Sequence, residues 1–301
     1  MNHEEVGFQL RQVLEKEELL ALADRIKDNY PYCLQTYNTL LLTAKGLNAC
    51  FQYEIYVLEN YQDSHVIIWR SLTEWKNMSI YCREEDVPLL IKVMNSSHFL
   101  NIVEEVPVLF LAKYQEDPVF HRLQEIFEKP LVKMSFFCYA YATRQESPLR
   151  CPAGMRVQRL GRAGIQKLLE SNQYWKKTSG DLVHSLAENL PALGIFLDPE
   201  VEDELVIDFN AISFAEPEEV PIAHAFTSPY GYVGSLHTDV QYRKRGLGSL
   251  LVSLIGRLLM AKGWCIPYSI VYERNEDSNR MFEKLPGWKK THCVIRILPG
   301  Q

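Results

Sequence analysis

Several features are missing from this 301-residue chain, and each absence closes a line of interpretation. Its seven cysteines (Cys33, Cys50, Cys82, Cys138, Cys151, Cys265 and Cys293) are odd in number, and no two stand at CxxC spacing. That argues against a disulfide framework and against a zinc site, and for a reducing compartment. No apolar run approaches the roughly 20 residues that span a bilayer. The opening Met1-Asn-His-Glu-Glu5 has no basic stretch followed by an apolar one, so no secretory signal is expected. The expected location is intracellular, cytoplasmic or mitochondrial, and the Asn-x-Ser sequons at Asn77 and Asn95 read as chance matches. Positive charge is also short: 32 Lys plus Arg stand against 38 Asp plus Glu, a net charge of −6, which excludes a generally nucleic-acid-binding or membrane-hugging surface. Any basic site must be local. With 47% hydrophobic and 23% charged residues the chain has no disordered or low-complexity character. What remains is a packed enzyme or binding protein, long enough for two domains.

Periodicity supplies the coarse organisation. Apolar residues at helical spacing over 8–29 (Val13, Leu14, Leu19, Leu20, Leu22, Ala23, Ile26), with Pro31 as a stop, predict an opening helix. Period-two alternation from Phe51 to Val57 predicts a strand, followed by strands at His65–Trp69 and Ser79–Cys82 and a helix from Glu85 to Met94. A helix over Val119–Phe127 and a long strand over Leu131–Ala142 complete the first half. Thr143–Pro152 has little to bury, which sets the division into an N-terminal α/β domain, 1–145, and a C-terminal domain, 146–301. In the second half, strands are expected at Met155–Leu160, Leu193–Leu197, Leu205–Ala215, Ile222–Phe226, Tyr232–Val240 and Pro267–Tyr272. Helices are expected at Arg162–Ser171, Asp181–Asn189 and from Gly246. The fold class is mixed α/β, and the two halves read as distant copies of one plan.

Chemistry concentrates where a strand runs through Arg243-Lys-Arg-Gly-Leu-Gly248 into a strongly amphipathic helix carrying Leu247, Leu250, Leu251, Leu254, Ile255, Leu258 and Leu259, with Gly263 as its stop. Glycines allow the close approach of a ligand to the backbone. A helix start held in place by its apolar face presents unpaired N–H groups and the positive end of the helix dipole, which suits a pyrophosphate. The bland alternative is a turn with solvated cations.

The run Leu236-His-Thr-Asp-Val-Gln-Tyr-Arg-Lys-Arg-Gly-Leu-Gly248 resembles the acyl-CoA-binding strand, loop and helix of the GNAT superfamily of N-acetyltransferases. A second block, Asn275-Glu-Asp-Ser-Asn-Arg-Met-Phe-Glu-Lys-Leu-Pro-Gly-Trp288, is similar to that superfamily's downstream motif, although four residues rather than three separate Phe282 from Gly287. Within it the chain resembles the FR47-like branch and the glycine N-acyltransferase-like proteins of animals, with N-terminal support from Ala44-Lys-Gly46 and Phe51–His65. The resemblance implies a mainly antiparallel sheet splayed at the CoA site. It also implies acyl-CoA or acetyl-CoA as co-substrate, no metal, and a small amine such as glycine as acceptor. Backbone groups of Leu236, His237 and Thr238 would pair with the pantetheine arm. N–H groups from Lys244 through Arg245, Gly246, Leu247 and Gly248 to Ser249 would hold the pyrophosphate, with Arg243 bracing the loop. Asn275 and Ser278 would lie beside the cofactor, and the Leu236 N–H would face the thioester oxyanion.

At the proton-handling positions the chain departs from that pattern. Relatives often carry Glu or His eleven or nine residues before the loop arginine, where this chain has Tyr232 and Gly234. The tyrosine that protonates the departing thiolate aligns with Phe282, which cannot donate a proton. The remaining candidates are Tyr232, as a site-lining or relay group, and His237, which needs a bulge to turn it inward; His224 lies on the neighbouring strand. Cys265 stands near the last expected strand as a remote nucleophile candidate. Beside the acyltransferase stand two other readings. One is a catalytically weak acyl-CoA-binding or regulatory protein. The other is a protein or peptide N-acetyltransferase drawing basic peptides to Glu200–Glu204 and Glu216–Glu219. Acyl chain, acceptor and oligomeric state are not readable from sequence.

Overall fold

One order of elements runs through the chain twice. The computed structural model describes residues 8–61, 63–73, 77–103, 108–127, 130–142, 147–172 and 178–300, so residues 143–146 of the expected linker Thr143–Pro152 and the opening pentapeptide lie outside the described residues, and Arg150–Cys151 of that linker form a short strand. In the first run, β1 (Leu10–Gln12) leads to α1 (Lys16–Ile26) and α2 (Leu34–Ala44). Then come β2 (Tyr53–Leu58), β3 (Ile67–Ser71), β4 (Asn77–Tyr81), α3 (Val87–Val93), α4 (Ser97–Val103), β5 (Val108–Ala112), α5 (Glu116–Ile126) and β6 (Leu131–Tyr141). The second run adds a short strand, β7 (Arg150–Cys151), before β8 (Met155–Arg159), α6 (Arg162–Ser171), α7 (Gly180–Asn189) and β9 (Ala192–Leu197). It continues through β10 (Leu205–Val206), which pairs with β7, to β11 (Ala223–Thr227), β12 (Val233–Thr238), α8 (Leu247–Ala261), β13 (Tyr268–Tyr272), α9 (Glu276–Lys284) and β14 (Trp288–Pro299). Apart from β7 and β10, and with the pair α3 and α4 standing where the second run has α8 alone, each run reads strand, two helices, three strands, helix, strand, helix, strand. The fold is mixed α/β with mostly antiparallel pairing, and the second half repeats the first.

The larger sheet has the order β1-β2-β3-β4-β5-β14-β6-β13 and the smaller one β12-β11-β9-β8. All their pairs are antiparallel except β4 with β5. At the centre the two runs exchange their last strands: β14 lies between β5 and β6, and β6 lies between β14 and β13. The β6–β14 ladder extends from Trp288 opposite Tyr141 to Pro299 opposite Leu131. Residues from both sides of the linker therefore share one sheet.

Helix faces follow the sequence. In α1, Leu19, Leu22, Ala23 and Ile26 form the buried stripe, with Glu17 and Glu18 at the positive end of the helix and Arg25 at the negative end. In α8, Leu247, Leu251, Leu254, Ile255 and Leu259 are buried as the periodicity requires, Val252 and Ser253 are buried beside them, Leu250 and Leu258 are partly buried, and Gly256 lets the Trp288 ring approach to 3.1 Å from where a Cβ would stand. The expected opening helix is shorter than its pattern, because Leu10–Gln12 are recruited as an edge strand against β2 and the α-helix starts only at Lys16. The expected strand over Leu205–Ala215 shrinks to Leu205–Val206 and a single bridge from Phe214 to Arg159. Helices α2, α4 and α9 and strands β5, β7 and β14 have no counterpart in the sequence reading.

Three buried asparagines of the first half hold the second. Asn38 on α2 donates from Nδ2 to the Ile266 carbonyl at 2.7 Å and accepts from the Ile266 N–H at 3.0 Å. Asn48 donates to the Pro229 carbonyl at 2.8 Å, and Asn77 on β4 donates to the Tyr230 hydroxyl at 2.9 Å. These contacts fix the β11–β12 turn and the entry to β13. Asn77, at 1% exposure, is closed to glycosylation.

Candidate functional site

Strands β12 and β13 are the facing edges of the two sheets. They run parallel and meet only at the Tyr232–Tyr268 bridge, then diverge. The asparagine contacts hold the closed end of this wedge. Gly231, with φ +83°, turns tightly there, and a Cβ on it would stand 3.0 Å from the Asn38 amide nitrogen. Beyond the bridge, β12 pairs with β11 alone among the described strands, so its other edge is free to pair with an extended ligand.

The open end holds a cavity of about 250 Å³. Its walls come from both faces of the sheet: Val252 of α8 with Asn275, Ser278 and Phe282 on one side, and Phe110, Phe136, Tyr230, Tyr232 and Arg296 on the other. The cleft thus passes through the wedge. Tyr232 sits at its apex, in ring contact with Tyr230 at 5.5 Å and Tyr268 at 6.2 Å, and its own ring occupies the space where Gly234 would carry a side chain. Burial pushes the Tyr230 and Tyr268 hydroxyls well above the usual tyrosine pKa, so both stay neutral.

At the mouth, the backbone turns through Lys244 (φ +61°) and Gly246 (φ +79°) before α8 begins. Gly246 is the N-cap and no side chain caps the helix; the first intrahelical bond is Leu250 N–H to Gly246 O. The N–H groups of Leu247, Gly248 and Ser249 precede that bond and have no intrahelical acceptor. Gly248 is glycine for a steric reason, since a Cβ would stand 3.2 Å from the Leu236 side chain. Arg243 Nε donates to the Thr238 carbonyl at 3.0 Å, tying the loop to β12, and Arg245 stacks over the Tyr242 ring at 5.4 Å. Asn275 caps α9 by accepting from the Ser278 N–H at 3.2 Å, and both residues line the cleft.

A bulge does interrupt β12: between Gly234, opposite Phe226, and His237, opposite His224, two residues face one. Ser235 takes φ +51° there and lines the cleft with Leu236, its hydroxyl accepting from Asn172 Nδ2 at 3.0 Å. His237 does not line the cleft. Its imidazole stacks on His224 at 5.5 Å and lies 3.4 Å from Asp239. The bulge turns Ser235 rather than His237 inward, which removes the geometric ground for His237 as base. His224 is fully buried, hydrogen-bonded to Ser171 Oγ at 3.1 Å, and burial lowers its pKa to about 3. Phe282 is packed between Tyr139 (5.1 Å, stacked) and Trp288 (5.2 Å, edge-on). Cys265 is enclosed and its thiol pushed up to about 12, which makes it a poor nucleophile.

Sequence reading missed the far wall. Phe110, Phe136 and Arg296 come from β5, β6 and β14, and only the strand exchange brings them to this cleft. One signal was present: Arg296 is a lone charge within Val294-Ile-Arg-Ile-Leu298, a run otherwise fit for burial.

Residues 217–295, which contain β12, the loop, α8, β13 and α9, match the family model described as FR47-like protein. No curated protein matches the chain. Among solved structures, a Drosophila protein is similar at 14% identity over 98% of this chain and 99% of its own, with a TM-score of 0.71. A GCN5-related N-acetyltransferase from Sphaerobacter thermophilus is similar at 12% identity over 98% and 97%, with a TM-score of 0.56. At such identities the likeness is one of architecture, and the chain carries the GNAT fold in two successive copies.

Proposed function

We propose that the protein is an acyl-CoA-dependent N-acyltransferase acting on a small amine, with glycine as the first acceptor to test. The observation that carries this is the open wedge between β12 and β13, continuous with a helix start whose first N–H groups have no intrahelical acceptor. In this reading the free edge of β12 at Leu236, His237 and Thr238 takes the pantetheine arm as an added strand, and N–H groups from Lys244 to Ser249 take the pyrophosphate. Arg243 holds the loop in shape, Asn275 and Ser278 flank the arm, and Phe282 packs behind it.

The amine nitrogen attacks the thioester carbon, the Leu236 N–H receives the developing oxyanion, and the C–S bond breaks as the C–N bond is kept. The amine loses one proton to solvent or through Tyr232, and the sulfur leaves as a thiol after gaining one. No histidine or carboxylate is among the described residues lining the cleft, so catalysis falls to positioning and oxyanion stabilisation. The buried, phenyl-only Phe282 motivates a second reading, an acyl-CoA binder with little turnover.

Thiol release over a grid of acyl-CoAs and amines tests both, with Gly246→Glu as control. That variant places a carboxylate and a strained side chain at the φ +79° helix start. Release that is lost in the control supports the acyltransferase. Coenzyme binding without release across the grid supports the second reading, and absence of coenzyme binding overturns both.

A further inference from the structure

We infer that Ser235, held in place by Asn172, orients the attacking amine, and that the pair selects a primary amine over its N-methyl counterpart. The inference rests on the reading of the cleft as an acyl-transfer site.

Two features single out Ser235. Among the described residues only Gln52, Ser235 and Lys244 take a positive φ without being glycine, and Ser235, at +51°, is the one of the three that lines the cleft. Left-handed backbone is strained for a residue with a Cβ, and such strain clusters at functional sites. The neighbouring position is glycine, Gly234, yet the left-handed turn falls on the serine. The serine hydroxyl is also fixed in place. It accepts from Asn172 Nδ2 at 3.0 Å, and Asn172, the C-cap of α6, lines the cleft as well.

Its position suits the nucleophile rather than the coenzyme. Leu236 faces α8, since its side chain stands 3.2 Å from where Gly248 would carry a Cβ. His237, next along the strand, points the other way, onto His224, which bonds Ser171 of α6. The Ser235 hydroxyl, bonded to the end of α6, lies on that second face, opposite the helix start proposed for the pyrophosphate. Adjacent Cα atoms are about 3.8 Å apart, so Ser235 stands one residue from the N–H assigned to the oxyanion. A nitrogen poised about 3–3.5 Å from the thioester carbon on the α6 side is then within reach of the Ser235 oxygen.

A serine oxygen has two lone pairs and one hydrogen. Asn172 fills one lone pair, and the other accepts an N–H of the amine, which turns the nitrogen's own lone pair toward the thioester carbon. A primary amine enters with two hydrogens, loses one to solvent as C–N forms and C–S breaks, and keeps the other on Ser235; the sulfur gains a proton and leaves as a thiol. A secondary amine has a single hydrogen, and losing it ends the contact. Ser235 itself neither gains nor loses a proton.

The test uses the full chain as wild type, Ser235→Gly, Ser235→Ala, Asn172→Ala and the double variant Ser235→Gly/Asn172→Ala. Coenzyme A affinity and thermal unfolding are measured first. Glycine accepts the left-handed backbone without strain, so Ser235→Gly should unfold no earlier than wild type and bind coenzyme A equally well. Acetyl-CoA is then offered with glycine, ethanolamine and benzylamine, each beside its N-methyl counterpart, with rates expressed per neutral amine. Calorimetry of the same amines on the coenzyme-loaded protein gives a readout that needs no turnover. The expected result is that amine affinity, and the preference in kcat/KM for the primary amine, each fall about 3–10-fold in Ser235→Gly and Ser235→Ala, the worth of one hydrogen bond. Asn172→Ala should cost a similar factor alone and nothing further in the Ser235→Gly background, since it acts through the serine. No primary-amine preference, or amine affinity and preference that survive in Ser235→Gly, overturns the inference while leaving acyl transfer standing. An Asn172→Ala effect undiminished in the Ser235→Gly background overturns the pairing. Coenzyme binding with neither amine binding nor turnover overturns the inference in favour of the binder reading. Failure of the wild type to bind coenzyme A overturns the acyl-transfer reading and this inference with it.

Discussion

Asn38 illustrates how single side chains set the wedge. Its amide satisfies both the N–H and the carbonyl of Ile266 while fully buried. Asn38→Ala leaves two main-chain groups without partners, a cost of about 2–4 kcal/mol, and frees the entry to β13. We expect thermal unfolding to fall accordingly and coenzyme affinity to drop with it. His224 makes a different demand. Its pKa is lowered to about 3 by burial, against about 6.5 in the unfolded chain. A depressed native value means that its stabilising contribution is whole above pH 6.5 and is lost as the pH falls toward 3, because the unfolded state takes the proton first. At pH 5 the loss is about 2 kcal/mol. Thermal unfolding of His224→Gln between pH 7 and pH 5 should show a shallower slope than wild type; equal slopes would remove His224 as the cause. Neither role was readable beforehand, since a histidine alternating with apolar residues and an asparagine within a helix look alike whether buried or solvated.

At the level of elements, the stretch from β12 to β13 was the most legible. Its amphipathic period, glycines and basic turn are local signals, and α8 begins within a residue of where they put it. Local signals fail where pairing decides. Leu10–Gln12 has helix-compatible spacing yet becomes a strand because β2 offers an edge, and β14 went unread although its Val294–Leu298 run is apolar but for Arg296. The close approach of α8 to β12 gives a sharp test. Gly248→Val must push Leu236 aside from 3.2 Å, an overpacking cost of about 1–3 kcal/mol. Since Leu236 lies on the free edge of β12, calorimetry should show weaker coenzyme binding as well as lower stability. Loss of stability with unchanged affinity would separate that edge from the donor site.

Across the whole molecule, the two copies are unequal. In the first, β4 and β5 stay paired over three positions instead of one bridge. Gln115 spans the pair, donating to Cys82 Sγ at 3.2 Å and accepting from the Ala112 N–H at 3.0 Å. The remaining hollow there is about 20 Å³, and the turn before α3 reads Arg83-Glu-Glu-Asp86 with no glycine. Carboxylates at that helix start repel phosphate. Calorimetry should therefore give one coenzyme per chain; two would show that the first wedge opens. Segments 1–145 and 146–301 expressed separately should each aggregate, because each has lost the strand its partner donates, and co-expression should restore soluble protein. A soluble, monomeric 146–301 would contradict this. The central exchange also bears on ancestry. If only the second half binds the coenzyme, as proposed, the first would ordinarily be free to erode, but each half completes the other's hydrogen-bonded framework, so neither can be discarded without unmaking its partner.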